Sequence, residues 1–249
     1  MSERLVARTA AGLVEGFDDR GAIAFKGIPF AAPPTGRRRF RPPESPEPWD
    51  GVRRCREPGP ACPQHSDVAS LRYRAPEPKS EDCLYLNVWT PALDDAQRPV
   101  LVFLHGGGYQ SGSGAVPIYN GRKFARHDAV LVTCNYRLAL FGFLYLDEVF
   151  PGFEGTGNLA ILDHVRALEW VRENIAAFGG DPDNVTVFGS SAGGISVGAL
   201  MASPRAQGLF RHAAPMSSGP GRGRSPELAT RATRRFLELV DVRPGDTDA

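Results

Sequence analysis

The stretch Val185–Ser196, VTVFGSSAGGIS, places a serine where a serine can do chemistry. Gly189-Ser190-Ser191-Ala192-Gly193 fits G-x-S-x-G, and the pattern carries weight only in context. The context is a short apolar strand, Val185–Phe188, and a helix candidate, GISVGALMAS, after it. A sharp strand-to-helix turn holds its serine in a strained conformation with the hydroxyl exposed above the sheet. Ser191 is therefore a candidate nucleophile, and an incidental serine in a glycine-rich connection is the alternative. Nucleophilic attack on a carbonyl also needs amide N–H groups for the developing oxyanion. His105-Gly106-Gly107-Gly108-Tyr109 follows the strand VLVFL, and glycines at a strand end leave backbone N–H groups unobstructed. The N–H of Ala192, next to Ser191, is the expected further donor. His105 opens this loop and is expected to order it through hydrogen bonds. The loop fits neither G-x-G-x-x-G nor G-x-x-x-x-G-K-[ST], which argues against a phosphate cradle.

These turns need a scaffold, and the rest of the sequence describes one. PVLVFLHGGG, AVLVTCNYR and NVTVFGSS read as buried strands, and RHAAPMSS as a weaker one. Between the second and third, Leu162, Val165, Leu168, Val171, Ile175 and Phe178 recur at helical spacing. Asn158 is the expected N-cap of that helix, Gly179 its stop, and Pro204 ends the helix after Ser191. The β–α–β–α–β order predicts a parallel sheet. The first hundred residues differ. LVART-AAG-LVEG and AIAFKG read as short strands, an antiparallel pair near an edge, and EDCLYLNVWTP as another strand. The proline-rich IPFAAPPTGRRRFRPPESPEPWDG is expected to wrap the surface, pinned by Phe30, Phe40 and Trp49.

Composition excludes several classes. The 249 residues carry a net charge of +1, which gives no case for nucleic acid or an acidic membrane surface. The start, MSERLVARTAAGLVEG, has no apolar leader core, and no apolar run is long enough to span a bilayer; a cytoplasmic protein is expected. Cys55, Cys62, Cys83 and Cys134 lack C-x-x-C spacing, so no metal site is expected. No cofactor motif is present.

EDCLYLNVWTP, HGGGY and FGGDPDNVTVFGSSAGG occur together and in this order. With FKGIPFAAPPTGRRRF and NYRLALFGF, they make residues 5–219 resemble the N-terminal half of a type-B carboxylesterase, the esterase–cholinesterase branch of the α/β-hydrolase fold. The resemblance implies a mostly parallel sheet with helices on both faces and a small-molecule ester substrate. It makes Ser191 the nucleophile and Gly107, Gly108 and Ala192 the oxyanion donors. Ser218 matches a serine behind the triad, and Cys62 and Cys83 match a disulfide pair that a reducing compartment keeps as thiols. Three departures stand out. Ser190 replaces the usual glutamate before the nucleophile. His164 follows Asp163 where glutamine is usual, and reads as a packing residue. The segment between Cys62 and Cys83 has no tryptophan, which disfavours choline esters.

A nucleophilic serine needs a base and an acid, which follow it in this fold in the order Ser, acid, His. After Ser191 the only histidine is His212, at a position the family does not use. The 249 residues thus read as the N-terminal part of one domain without the triad acid and histidine. The sheet is expected to stop near a sixth strand, HAAPMSS, leaving an edge open to self-association. Residues 225–249 are expected to be a polar helix and a loose tail. Two alternatives remain: a catalytically silent fragment that binds a ligand or partner, and an enzyme that recruits His212 or His105 as base.

Overall fold

The computed structural model describes residues 5–65, 75–219 and 223–243. The valine and leucine runs form the centre of a seven-stranded sheet. Its strands are β3 (Phe17–Asp18), β4 (Ile23–Pro29), β6 (Tyr85–Thr90), β7 (Arg98–Leu104), β8 (Val130–Cys134), β9 (Gly180–Ser190) and β10 (His212–Met216). The spatial order is β10-β9-β7-β8-β6-β4-β3. From β10 to β8 every pairing is parallel, as the crossover helices require. From β8 to β3 the pairings are antiparallel, contributed by the N-terminal segment. The strand count exceeds six because Phe17 and Asp18 add a two-residue edge. LVART-AAG-LVEG does not pair with AIAFKG. It folds on itself as β1 (Val6–Arg8) and β2 (Leu13–Glu15), which join β5 (Val52–Arg54) in a separate three-stranded sheet.

Alternation along the strands separates two cores. Val100, Val102 and Leu104 of β7, with Val130 and Val132 of β8, face the larger one. There they meet helices α3 (Leu159–Asn174) and α4 (Ala192–Ala202) through Val165, Leu168, Val171, Val197 and Leu200. Phe103 and Leu131 point the other way, toward Trp89 and Ala125 of α1 (Arg122–Arg126). Helices thus cover both faces. The two-residue period of a strand buried on both sides produces this division.

The proline-rich segment winds only one 3-10 turn, Gly36–Arg38. Phe30 is buried, Phe40 stacks on Phe141 at 6.2 Å, and Trp49 donates to the Leu13 oxygen at 3.1 Å, so the three anchors hold. Gly179 ends the long helical stretch at φ +75. Asn158 occupies the expected N-cap position of α3 but caps it without its side chain. Residues Thr156–Asn158 wind into a 3-10 turn, and the Asn158 side chain makes no capping bond.

α2 (Ala139–Phe143) follows the turn after β8. α5 (Pro226–Leu239) is the polar helix expected near the C-terminus. Thr230 on α5 donates to the Glu148 carboxylate at 2.6 Å. The expected tail, residues 244–249, lies outside the described residues. At the other end of the sheet, β10 has a neighbour only in β9 among the described residues, and it is largely exposed. Pro215 lacks an N–H, which suits an edge strand.

Candidate active site

β9 delivers the chain to Ser190, and α4 begins at Ala192. Ser191, between them, sits at φ +56 and ψ −119. Such a conformation costs a non-glycine residue about 1–3 kcal/mol and persists only where its surroundings fix it. Here the Ser191 N–H donates to the Met216 oxygen at 3.0 Å, and the Ile195 N–H donates to the Ser191 oxygen at 2.9 Å. The elbow also passes against β7 without clearance. A methyl group on Gly193 would lie 2.0 Å from the Leu104 oxygen. The result is an exposed serine at the carboxyl end of the parallel strands.

The 105–112 loop leaves β7 beside this serine. A methyl group on Gly106 would lie 2.8 Å from the Ser190 oxygen and 3.3 Å from Ser191 Cβ. Gly107 adopts φ +119, and its carbonyl accepts the N–H groups of Gln110 at 3.0 Å and Ser111 at 3.1 Å. No hydrogen bond among the described residues takes up the N–H of Gly107, Gly108 or Ala192. Tyr109, at φ +62, ties the loop to α4 through a 3.0 Å hydrogen bond between its hydroxyl and that of Ser196.

His105 orders this loop from beneath, as expected. Its Nδ1 donates to the Gly106 oxygen at 2.8 Å, and its ring stacks on Tyr136 at 4.3 Å. The Tyr136 hydroxyl donates to the His105 oxygen at 2.9 Å. The ring is enclosed, and burial depresses its pKa to about 4. His164 packs edge-on against the same Tyr136 at 4.4 Å, and burial, with a smaller effect of His105, lowers its pKa to about 3. Among the described residues, neither His164 nitrogen nor His105 Nε2 has a hydrogen-bond partner.

No histidine among the described residues is hydrogen-bonded to Ser191. His212 occupies the start of β10, level with Thr186, whereas the Ser191 N–H meets Met216 at the strand's end. Four residues of parallel strand separate the two by about 13 Å. A base at pKa 4 is also mostly unable to accept a proton in its buried position, so His105 is poorly matched to the task.

Ser218 lies behind the elbow, its hydroxyl 2.7 Å from where a Gly194 methyl would sit. The four cysteines are free and buried. Cys62 and Cys83 are nonetheless neighbours. The Cys62 thiol beside it, together with burial, holds the Cys83 thiol well above its ordinary pKa. The Leu138 N–H also donates to Cys62 Sγ at 3.2 Å. Residues 66–74, in the segment between Cys62 and Cys83 where a tryptophan is lacking, lie outside the described residues.

Two features escaped the sequence reading. Asp163 is fully buried and accepts from the Arg137 guanidinium at 2.6 Å and 2.9 Å and from the Arg137 N–H at 2.9 Å. This pair fastens the turn after β8 to α3. Gln64 grips the far end of the 105–112 loop. No spacing rule links either pair in sequence. Among the described residues no three potential ligands could hold a metal ion, and no helix is long and apolar enough to cross a membrane.

Known proteins share this arrangement of sequence and fold. Para-nitrobenzyl esterase of Bacillus subtilis is 46% identical over 244 residues, covering 98% of this chain and 49% of the relative. Acetylcholinesterase of Electrophorus electricus is 41% identical over 261 residues, covering 98% of this chain and 41% of the relative. The crystal structure of a carboxylesterase from Geobacillus stearothermophilus superposes with a TM-score of 0.90 at 51% identity, covering 98% of this chain and 50% of that one. A para-nitrobenzyl esterase structure gives 0.93 at 44% identity, with 99% and 50% coverage. The chain thus spans about half the length of the relatives it matches, and its fold is that of the α/β-hydrolases. Residues 3–244 match the profile of the carboxylesterase family, and the chain belongs to that family.

Proposed function

We propose that this chain carries the nucleophile and the oxyanion donors of a carboxylic ester hydrolase acting on small or medium-sized esters. The observation that carries the reading is an exposed serine at φ +56 beside free amides at Gly107, Gly108 and Ala192. Ser191 Oγ attacks the ester carbonyl carbon while a base removes the hydroxyl proton. The carbonyl oxygen becomes an oxyanion and accepts hydrogen bonds from the three amides. The carbon–oxygen bond to the alcohol breaks, and the alcohol leaves with the proton. Water, deprotonated by the same base, then cleaves the acyl-serine. In this reading no described residue supplies the base, since no histidine among the described residues is hydrogen-bonded to Ser191.

The test combines a fluorophosphonate probe and a p-nitrophenyl ester on the purified chain and on Ser191→Ala. Labelling that Ser191→Ala abolishes supports the nucleophile assignment. The rate of ester turnover measures how far the chain works without a paired base; residual rates orders of magnitude below a complete triad are expected. Absence of both labelling and turnover removes the active-enzyme reading of this chain.

A further inference from the structure

The loop that presents Gly107 and Gly108 has a narrow neck. It leaves the sheet after Leu104 and doubles back so that Gly112 touches Gly106. A methyl group on Gly112 would lie 2.6 Å from the Gly106 oxygen and 2.4 Å from His105 Nδ1. Gly107 and Gly108 themselves are exposed. Backbone hydrogen bonds to Gly107 shape the tip, and the Ala139 N–H at 2.7 Å and the Ser196 hydroxyl at 3.0 Å hold Tyr109, but none of these bonds secures the neck at Gly112. An irregular loop of this kind holds its form only if a rigid neighbour fixes its ends.

Gln64 supplies that fixation. Its Oε1 accepts the Gly112 N–H at 2.7 Å, and its Nε2 donates to the Gly112 oxygen at 2.9 Å. One side-chain amide thus satisfies both backbone groups of a residue 48 positions away. The same Nε2 donates to the Cys62 oxygen at 3.0 Å, and Cys62 is buried with its sulfur taking the Leu138 N–H. The clamp is therefore anchored on both sides. Among the described residues the amide of Gln64 bonds Cys62 and Gly112, four positions beyond Gly108 and outside the reacting atoms.

We propose that Gln64 is a positioning residue that clamps the neck at Gly112 and so keeps the Gly107 and Gly108 amides aimed beside Ser191. Its catalytic consequence rests on the ester-hydrolase reading above; the clamp itself does not. Oxyanion donors work because they are fixed before charge develops. Losing one neutral hydrogen bond weakens the closed geometry about fivefold, and losing both weakens it about twentyfold or more.

Two variants of similar length separate the contributions. Gln64→Glu keeps an acceptor for the Gly112 N–H but sets a carboxylate oxygen against the Gly112 and Cys62 carbonyl oxygens in place of the donor; Gln64→Met loses both bonds without that repulsion. Hydrogen exchange followed on peptides is expected to accelerate across residues 105–113 in both variants, by about tenfold or more in Gln64→Met. The peptide spanning the elbow, residues 185–200, should exchange unchanged. With a fluorophosphonate, the maximal labelling rate should fall in both variants at constant probe affinity.

Unaltered exchange at 105–113 in Gln64→Met overturns the clamp. Acceleration spread evenly over the chain reduces Gln64 to a general stabiliser and also overturns it. Faster loop exchange with an unchanged maximal labelling rate removes the positioning role. If the wild-type chain does not label at all, the ester-hydrolase reading of this chain fails, and the exchange measurements still decide the clamp.

Discussion

Two glycine-rich turns flank Ser191, and they are held by different means. The elbow, residues 189–194, is fixed by backbone against backbone. Gly193 lies against the Leu104 oxygen with no room for a methyl group, and the Ser191 N–H is bonded to Met216 of the adjoining strand. The 105–112 loop has one backbone tie to another element, the Ala139 N–H to the Tyr109 oxygen at 2.7 Å, and is otherwise fixed by side chains: Gln64 at its neck, Tyr136 beneath it, Ser196 against Tyr109, and its own His105 ring. The elbow inherits its rigidity from the sheet. The loop depends on groups that can be substituted one at a time, and one of them titrates.

That dependence predicts a pH effect on the loop side with no counterpart in the elbow. His105 and His164 are unprotonated in the folded protein down to about pH 4 and about pH 3, whereas an unfolded histidine binds its proton near pH 6.5. Below pH 6.5 the unfolded chain therefore takes up protons that the folded chain does not. Stability is retained above pH 6.5 and falls below it, by about 1.4 kcal/mol per pH unit for each ring. Two rings over two units amount to about 5 kcal/mol, a large part of the stability of an ordinary domain. Denaturant titrations at pH 7.5, 6.5, 5.5 and 4.5 measure the slope. His164→Gln is expected to reduce it by one ring's share, and an unchanged slope would show that this buried ring does not govern the acid loss.

Gly193→Ala strikes the other region. Its methyl group would meet the Leu104 oxygen at 2.0 Å, a contact that only backbone movement relieves. Overpacking against side chains costs about 1–3 kcal/mol, and rigid backbone places this substitution at or above the upper end. The expected loss is about 3 kcal/mol, read from denaturant unfolding at pH 7.5. A loss below about 1 kcal/mol would mean that the elbow yields as readily as the loop and would break the contrast.

The same contrast explains what was legible in the sequence. Backbone-held features leave a residue-type signature, so GSSAGG and HGGGY announced the elbow and the loop, and the valine runs announced β7, β8 and β9. Features held by distant side chains leave none. Nothing in the spacing of Gln64 and Gly112, Tyr109 and Ser196, or Arg137 and Asp163 marks them as partners, because tertiary contact alone joins them. Asn158 shows the limit at the local scale. Its residue type suits an N-cap, yet Thr156–Asn158 wind a 3-10 turn that leaves its side chain without a capping bond. The hairpin of β1 and β2 was missed as a separate sheet because a short strand does not encode which neighbour it joins. The histidines were legible in what they do not do: His105 orders its loop and His164 fills the core.

The smallest expected effect concerns the strain at Ser191 itself. A positive φ costs serine about 1 kcal/mol relative to glycine, which populates that region freely. Ser191→Gly removes the Cβ penalty while also loosening the unfolded chain, which offsets part of the gain. Ser191→Ala keeps the Cβ and only deletes the hydroxyl. Ser191→Gly is therefore expected to be more stable than Ser191→Ala by up to about 1 kcal/mol, a few degrees in Tm, while neither labels with a fluorophosphonate. The pair isolates backbone strain from chemistry because both lack the nucleophile. If Ser191→Gly is the less stable of the two, the elbow stores no strain at Ser191, and its geometry is as relaxed as that of a turn built only from loop residues.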